Sequence, residues 1–372
     1  MLNQSDVAQY LLQGEFITAA SVVDEDLRIV EASRRNRNFK VIREHGPSYL
    51  LKQGQDAKGR ATVAHESILY KYMAEANGGE CFRPYLPGYH RYDEQIGVLI
   101  LELLTGAQDI REYHTRRGAF STRIAASLGR ALSRLHRLDI SSLATSLGSS
   151  FDGWLPWALS LHRPGIGVFD DTSSANMQLI RIVQNTPGFS RAIDEIREGW
   201  RVDSLVHNDI KWDNCLVFPR TSSNRKVDLR LVDWEFARLG DSCWDSGSVF
   251  SNYLSFWLFS IPVSGEDPPD HFLDLARYPL ERMQPAIRAY WQAYVRGMGF
   301  NRAESEKHLL RGVKYAAARL VQTGYEHMQH SSHLTGNIIC LLQLSLNIMQ
   351  RPSEAIAHLL GISLESGSAE TI

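Results

Sequence analysis

The sequence predicts an α+β protein of two lobes: a small N-terminal lobe of β-sheet plus helix, then a larger, mostly helical C-terminal lobe. Three observations predict it. Two β-prone runs, a helical stripe and another strand share the first hundred residues. From Leu104 onward the apolar pattern turns mostly helical. Between residues 205 and 235, short strands bracket a cluster of oxygen-bearing side chains. The boundary is expected near residues 103 and 104, with a hinge over 102–106, which gives lobes 1–103 and 104–372.

The runs 39–42 and 48–53 flank Glu44-His45-Gly46-Pro47, a turn signal, and read as a hairpin. Residues 63–76 carry Val63, Ile68, Leu69, Tyr72 and Met73 at helical spacing. A loop rich in Gly, Pro and aromatics follows over 77–87, then a buried strand over 98–101. Residues 124–138 form a helix with Ile124, Leu128, Ala131, Leu132 and Leu135 on one face. Short strands are expected at 205–206, 215–218 and 229–232, with a polar hairpin tip at 221–226. Residues 273–300 and 304–349 hold long helices. The stretch 151–200, rich in Trp, Pro, Gly and Ser, reads as an insert just before the 207–214 segment. The small polar tail from Ser363 is expected to fray.

A formal net charge of −2, with acidic and basic residues nearly balanced, argues against nucleic-acid and membrane-surface partners. Four scattered cysteines make no CxxC pair, so neither a zinc site nor a disulfide framework is expected. The polar start lacks a basic n-region and an apolar core, which argues against a signal peptide. The longest apolar stretch, 253–263, is too short to span a bilayer and reads as a buried helix. Together these fit a cytoplasmic protein.

The segment His207-Asn208-Asp209-Ile210-Lys211-Trp212-Asp213-Asn214, with Asp233-Trp234-Glu235 after a short apolar strand, carries the chemistry. Phosphoryl transfer needs a carboxylate to orient the attacking hydroxyl and hard oxygen ligands to hold magnesium against phosphates. Asp209 is the candidate for the first task, where positioning counts for more than basicity. Asn214 and Asp233 are the candidate magnesium ligands. Lys211 stands where its ammonium would neutralise charge developing on the transferring phosphate; the bland reading is a solvated lysine. His207 reads as a core histidine bonded to a backbone carbonyl, and Glu235 as a second-metal contact or a loop support. Asp245 is expected to bond the backbone of the catalytic segment.

Lys52 closes the second strand of the hairpin, and Glu66 lies early on the following helix. A lysine gripping the α- and β-phosphates, held by a helix glutamate, would complete a nucleotide site. His65 and Glu75 are competing partners in sequence. Backbone groups of Glu102 and Leu104, at the hinge, would bond the adenine edge. Where a glycine-rich loop is expected, residues 33–38 are Ser, Arg and Asn instead, small polar groups whose N–H groups could still face phosphate.

The His-x-Asp-x-x-x-x-Asn motif at 207–214, Val232-Asp233-Trp234-Glu235 and the Gly-Asp-x-x-x-Asp run at 240–245 resemble the aminoglycoside phosphotransferase and choline kinase family, within the protein-kinase-like fold. The helix ending Leu135-His136 resembles the Leu-His-ended helix of that family. The resemblance covers about residues 30 to 250. It implies Asp209 as catalytic base, Asn214 and Asp233 as magnesium ligands, Lys52 as the phosphate lysine, and a substrate pocket built from 151–200 and the helices after Leu273. Two departures stand out: Lys211 replaces a histidine that many aminoglycoside phosphotransferases carry, and the nucleotide loop lacks glycines.

The expected function is an ATP- and Mg2+-dependent kinase that transfers the γ-phosphate to a hydroxyl of a small molecule, such as an aminoglycoside, amino-alcohol or sugar. Lys211 keeps open a Ser/Thr peptide kinase of a lanthipeptide-like modification pathway, and the unusual nucleotide loop keeps open a nucleotide-binding pseudokinase scaffold. Acidic residues in the insert (Asp152, Asp170, Asp171, Asp194, Glu195 and Glu198) suit a polycationic acceptor, but arginines are mixed among them. Trp154, Trp157, Phe169, Trp200, Tyr253, Phe256 and Trp257 read as core more readily than as a cation cage.

Overall fold

The computed structural model describes residues 1–24, 26–33, 36–75, 79–165, 172–218, 228–262 and 273–364. Arg34 and Arg35 of the expected nucleotide loop, the expected hairpin tip at 221–226, Phe169, Asp170 and Asp171 of the insert, and the tail from residue 365 lie outside them. The fold is the expected α+β, protein-kinase-like one, an N-terminal antiparallel sheet followed by a mostly helical remainder. The chain divides into two compact units. The first holds Met1–Ile110, Ser141–Phe151 and Asp213–Ala237; the second holds Arg111–Ile140, Asp152–Trp212 and Arg238–Ile372.

The first unit is built on five antiparallel strands: β1 (Leu27–Glu31), β2 (Arg37–Arg43), β3 (Tyr49–Gln53), β4 (Tyr89–Asp93) and β5 (Val98–Glu102), in the order β1-β2-β3-β5-β4. Successive side chains of a strand face opposite ways. Phe39, Val41, Tyr49, Leu51, Val98 and Ile100 therefore share one face, covered by Val7 and Leu11 of helix α1 (Gln4–Gln13) and by Ile17. A reciprocal Asn3–Asp6 capping box starts α1, which the sequence reading does not anticipate. Lys52 has the other parity and points to the opposite face, where the long helix Ala57–Glu75 lies. This helix starts six residues before the apolar stripe because Asp56 accepts the Gly59 N–H at 2.6 Å and fixes the first turn. The first four residues of β5, Val98 to Leu101, are buried, which explains the unbroken apolar run that marks that strand in the sequence. A smaller sheet of Gln108–Asp109, Cys215–Val217 and Leu229–Leu231 completes the unit.

In the second unit, the helix Thr122–His136 packs on Gln284–Met298, and Ser242–Phe259 packs on Arg302–His327. Strands Ser204–Val206 and Arg238–Gly240 pair beside them. The insert contains two helices of its own, Ser174–Asn185 and Phe189–Glu198. Tyr253 and Phe256 pack edgewise and tilted on Trp212, and Trp200 packs on Trp244 and Tyr315. Tyr253 and Trp257 are core and Phe256 and Trp200 half-buried, whereas Trp154 and Trp157 are exposed, against the core expectation. No described helix is long and apolar enough to cross a membrane.

Two features of the second unit carry testable consequences. A Cβ on Gly247 would lie 2.7 Å from the Gly312 carbonyl oxygen and 2.8 Å from the Ala316 nitrogen, both backbone atoms of the facing helix. Gly247→Val should therefore force the two helices apart and destabilise the protein by about 1–3 kcal/mol, read by denaturant unfolding. His114 is fully buried among Phe120, Trp212 and Tyr253, and neither ring nitrogen has a hydrogen-bond partner among the described residues. Burial depresses its pKa from 6.5 to about 4, so the folded protein holds it neutral while the unfolded chain takes a proton below 6.5. The stability it contributes is complete above pH 6.5 and is lost as the pH falls toward 4, with a slope of up to about 1.4 kcal/mol per pH unit. His114→Phe should flatten the acid limb of a stability–pH curve; an unchanged slope would refute this assignment.

Candidate functional site

In the first unit the sheet and the Ala57–Glu75 helix bring three charged side chains together. Lys52 Nζ donates to Glu66 Oε2 at 2.6 Å and to Asp233 Oδ1 at 2.8 Å. Lys52 is buried and Glu66 entirely so, whereas the Asp233 side chain keeps 40% exposure. Burial alone would push the Lys52 pKa down; the two carboxylates outweigh it and raise it, so the ammonium stays charged. Glu66 uses its second oxygen to accept the Trp234 N–H at 3.2 Å, which ties the helix to the Asp233–Trp234 peptide. Of the competing partners, His65 instead bonds the Ala237 carbonyl at 2.7 Å and stacks on Phe151.

Asp233 has a left-handed backbone, φ 68°, at the end of the strand Leu229–Leu231. Trp234 anchors the turn: its indole N–H reaches the Leu231 carbonyl at 3.0 Å, and its ring meets Phe82 edge-on. The Asn214 carbonyl accepts the Val232 N–H at 3.0 Å, continuing the pairing of Cys215 with Leu231. Asn214 and Asp233 are thus brought to neighbouring ends of paired strands. Glu66 spends both oxygens on Lys52 and the Trp234 N–H, so the part-exposed Asp233 is the hard oxygen donor that a divalent cation would meet here. Among the described residues no cluster of three or more His, Cys, Asp or Glu is set up to hold a metal alone. Glu235 is buried. Glu102, at the end of β5, accepts the Gly88 N–H on its carboxylate at 2.9 Å, and the Leu104 carbonyl accepts the Ala107 N–H. Of the stretch 33–38, Ser33 and Arg37 bond Glu31, and Asn36 is buried.

In the second unit, helix Ser242–Phe259 holds the backbone of the 207–212 segment through three side chains. Asp245, fully buried in the first turn of that helix, accepts the His207 N–H at 2.7 Å and the Asn208 N–H at 3.0 Å. His136 lies 3.2 Å from the same carboxylate. This is the backbone support expected of Asp245. The Trp244 indole donates to the Asn208 carbonyl, and Asn252 bonds both the Trp212 N–H and the Ile210 carbonyl. His207 is buried and accepts the Asp209 N–H on Nδ1 at 3.3 Å. Asn208, with φ 68°, turns the chain so that Asp209 follows immediately.

Asp209 Oδ1 is flanked by two cations, Lys211 Nζ at 3.1 Å and Arg319 Nη2 at 3.4 Å. Lys211 also meets Glu326 at 3.3 Å, and Gln322 donates to the other Glu326 oxygen at 2.8 Å. Burial would lower the Lys211 pKa; the Asp209 and Glu326 charges prevail and raise it. Lys211 is therefore a paired, part-buried cation rather than a solvated one. Arg319, Gln322 and Glu326, all on the helix Arg302–His327, escape the sequence reading. Their signal was present: Arg319 is a lone charge inside the small and apolar run Tyr315 to Val321.

A family model described as the phosphotransferase enzyme family matches residues 26–277. A search of curated proteins finds no match. Among solved structures, choline kinase from Cryptosporidium parvum Iowa II aligns with TM-score 0.55 at 15% identity, over 95% of this chain and 96% of that one. Amicoumacin kinase hAmiN, in complex with AMP-PNP, Ca2+ and Ami, aligns with TM-score 0.50 at 11% identity, over 92% of this chain and 96% of that one. At such identity these likenesses concern the fold, which is the one read from the motifs. The family match covers more than half of the chain, and the protein belongs to the phosphotransferase enzyme family, enzymes that transfer phosphate to a hydroxyl group.

Proposed function

We propose that the protein is an ATP- and Mg2+-dependent kinase that phosphorylates a hydroxyl of a small molecule. The observation that carries this reading is the Lys52 ammonium held between Glu66 and Asp233, on a fold and in a family that transfer phosphate. Lys52 would hold phosphate oxygens of the nucleotide, with Glu66 fixing its position. Backbone groups at Glu102 and Leu104 would meet the adenine edge. Asn214 and Asp233 would hold Mg2+. When bound, that ion draws charge from the phosphate oxygens.

Asp209 would orient the acceptor hydroxyl and take its proton as the γ-phosphorus–oxygen bond to the acceptor forms and the bond to ADP breaks. Lys211, held by Asp209 and Glu326, would offset negative charge on the transferring group. The hydrogen bonds from helix Ser242–Phe259 keep the segment carrying Asp209 in one conformation, which is the positioning this chemistry needs.

ATP with Mg2+ should raise the melting temperature, by mass action on the folded state. Lys52→Ala should abolish that rise and also lower the stability of the free protein, because Glu66 is left buried without its partner. Asp209→Asn should keep the rise and lose turnover by about 10²–10⁴-fold in an ATP-consumption screen over aminoglycosides, amino-alcohols and sugars. Retained turnover in Asp209→Asn would remove Asp209 from this role, and no thermal shift with any nucleotide would overturn the proposal.

A further inference from the structure

The helix Arg302–His327 presents more toward Asp209 than a counter-ion. Arg319 is 3% exposed and Gln322 is 7% exposed. Arg319 spends Nη2 on Asp209 and lays its guanidinium over Trp244, 5.5 Å from the ring centre. Its Nη1 is buried and has no partner among the described residues. Gln322 spends its amide N–H on Glu326, while its carbonyl oxygen is likewise buried and unpartnered among those residues. Residues three apart on a helix lie on one face. An unmet donor and an unmet acceptor thus lie about one turn apart on the helix face that carries Arg319 to the carboxylate proposed to take the acceptor's proton. A polar group left unpaired in a folded core is costly, so a ligand that satisfies both gains specificity by doing so.

We propose that Arg319 and Gln322 are specificity-determining residues that read an uncharged hydroxyl adjacent to the one being phosphorylated, so that the acceptor is a neutral vicinal polyol. The inference rests on the kinase reading above and narrows its acceptor. A hydroxyl both accepts and donates: it would accept from Arg319 Nη1 and donate to Gln322 Oε1 while its neighbour faces Asp209. An ammonium in that place can only donate, and it would meet the positive charges of Arg319 and Lys211, while Glu326 is already engaged by Lys211 and Gln322.

The test is phosphate transfer from ATP·Mg2+ by the full-length protein to myo-inositol, methyl α-D-glucopyranoside and the singly deoxygenated derivatives of that glycoside, alongside choline and ethanolamine. Transfer to at least one neutral polyol is expected, with kcat/KM about tenfold or more above that for the analogue lacking the neighbouring hydroxyl. Gln322→Ala and Arg319→Lys should bring that ratio close to one and leave KM for ATP unchanged. Three results overturn the proposal: preferred transfer to choline or ethanolamine, transfer to none of the neutral polyols, or a ratio that the variants leave intact. The last would make the pair core polar groups without a recognition role. An ATP-dependent thermal shift on the same preparation separates the two levels. Its presence with no polyol transfer sinks this inference alone; its absence, with no transfer to anything, sinks the kinase reading and this inference with it.

Discussion

A buried lysine keeps its charge only where neighbouring carboxylates outweigh the loss of water, and the first unit is organised around that constraint. Lys52 takes the face of β3 opposite the apolar core, so the Ala57–Glu75 helix must supply a carboxylate there, and Glu66 does. The same glutamate accepts a backbone N–H from Trp234, so the sheet, the helix and the turn bearing Asp233 are fixed by one side chain. Removing either end of such a set leaves charge in a place water does not reach, which makes the arrangement cooperative.

The second unit uses the same device with a different carboxylate. Asp245 sits in the first turn of a helix, where backbone N–H groups favour negative charge, and it spends both oxygens on the peptide that precedes Asp209. A segment without regular secondary structure thereby acquires the definition of a helix. The close crossing permitted by Gly247 brings the helix bearing Arg319 against the one bearing Trp244, which is how a residue 110 positions along the chain comes to touch Asp209.

Much of this was legible in the sequence because it depends on local spacing. The hairpin, the strand at 98–102, the helix ending at His136 and the Asp233 turn each carry a period or a turn signal, and Lys52 follows from an apolar strand whose last turn of parity faces a helix. β1 and β4 escaped because they are edge strands, and their charged and polar residues (Leu27–Glu31, Tyr89–Asp93) are what an edge requires to avoid pairing with other chains. Helix α1 escaped because only Val7 and Leu11 are buried, too few for a stripe. Arg319, Gln322 and Asn252 act across long sequence separations, and no local pattern reports which loop a helix face will meet. Glu102 and Leu104 would act through backbone, where residue identity carries almost no signal.

The left-handed backbone at Asp233 has an evolutionary corollary. At φ 68° a branched or bulky side chain is strained, and the residues that settle there readily are glycine, asparagine and aspartate. Few mutational routes away from this position leave the turn intact. A descendant that abandoned phosphate chemistry while keeping its fold would be expected to carry asparagine or glycine at that point. Across a set of sequenced homologues, that narrow alphabet would distinguish lineages that lost the reaction from lineages that lost the structure.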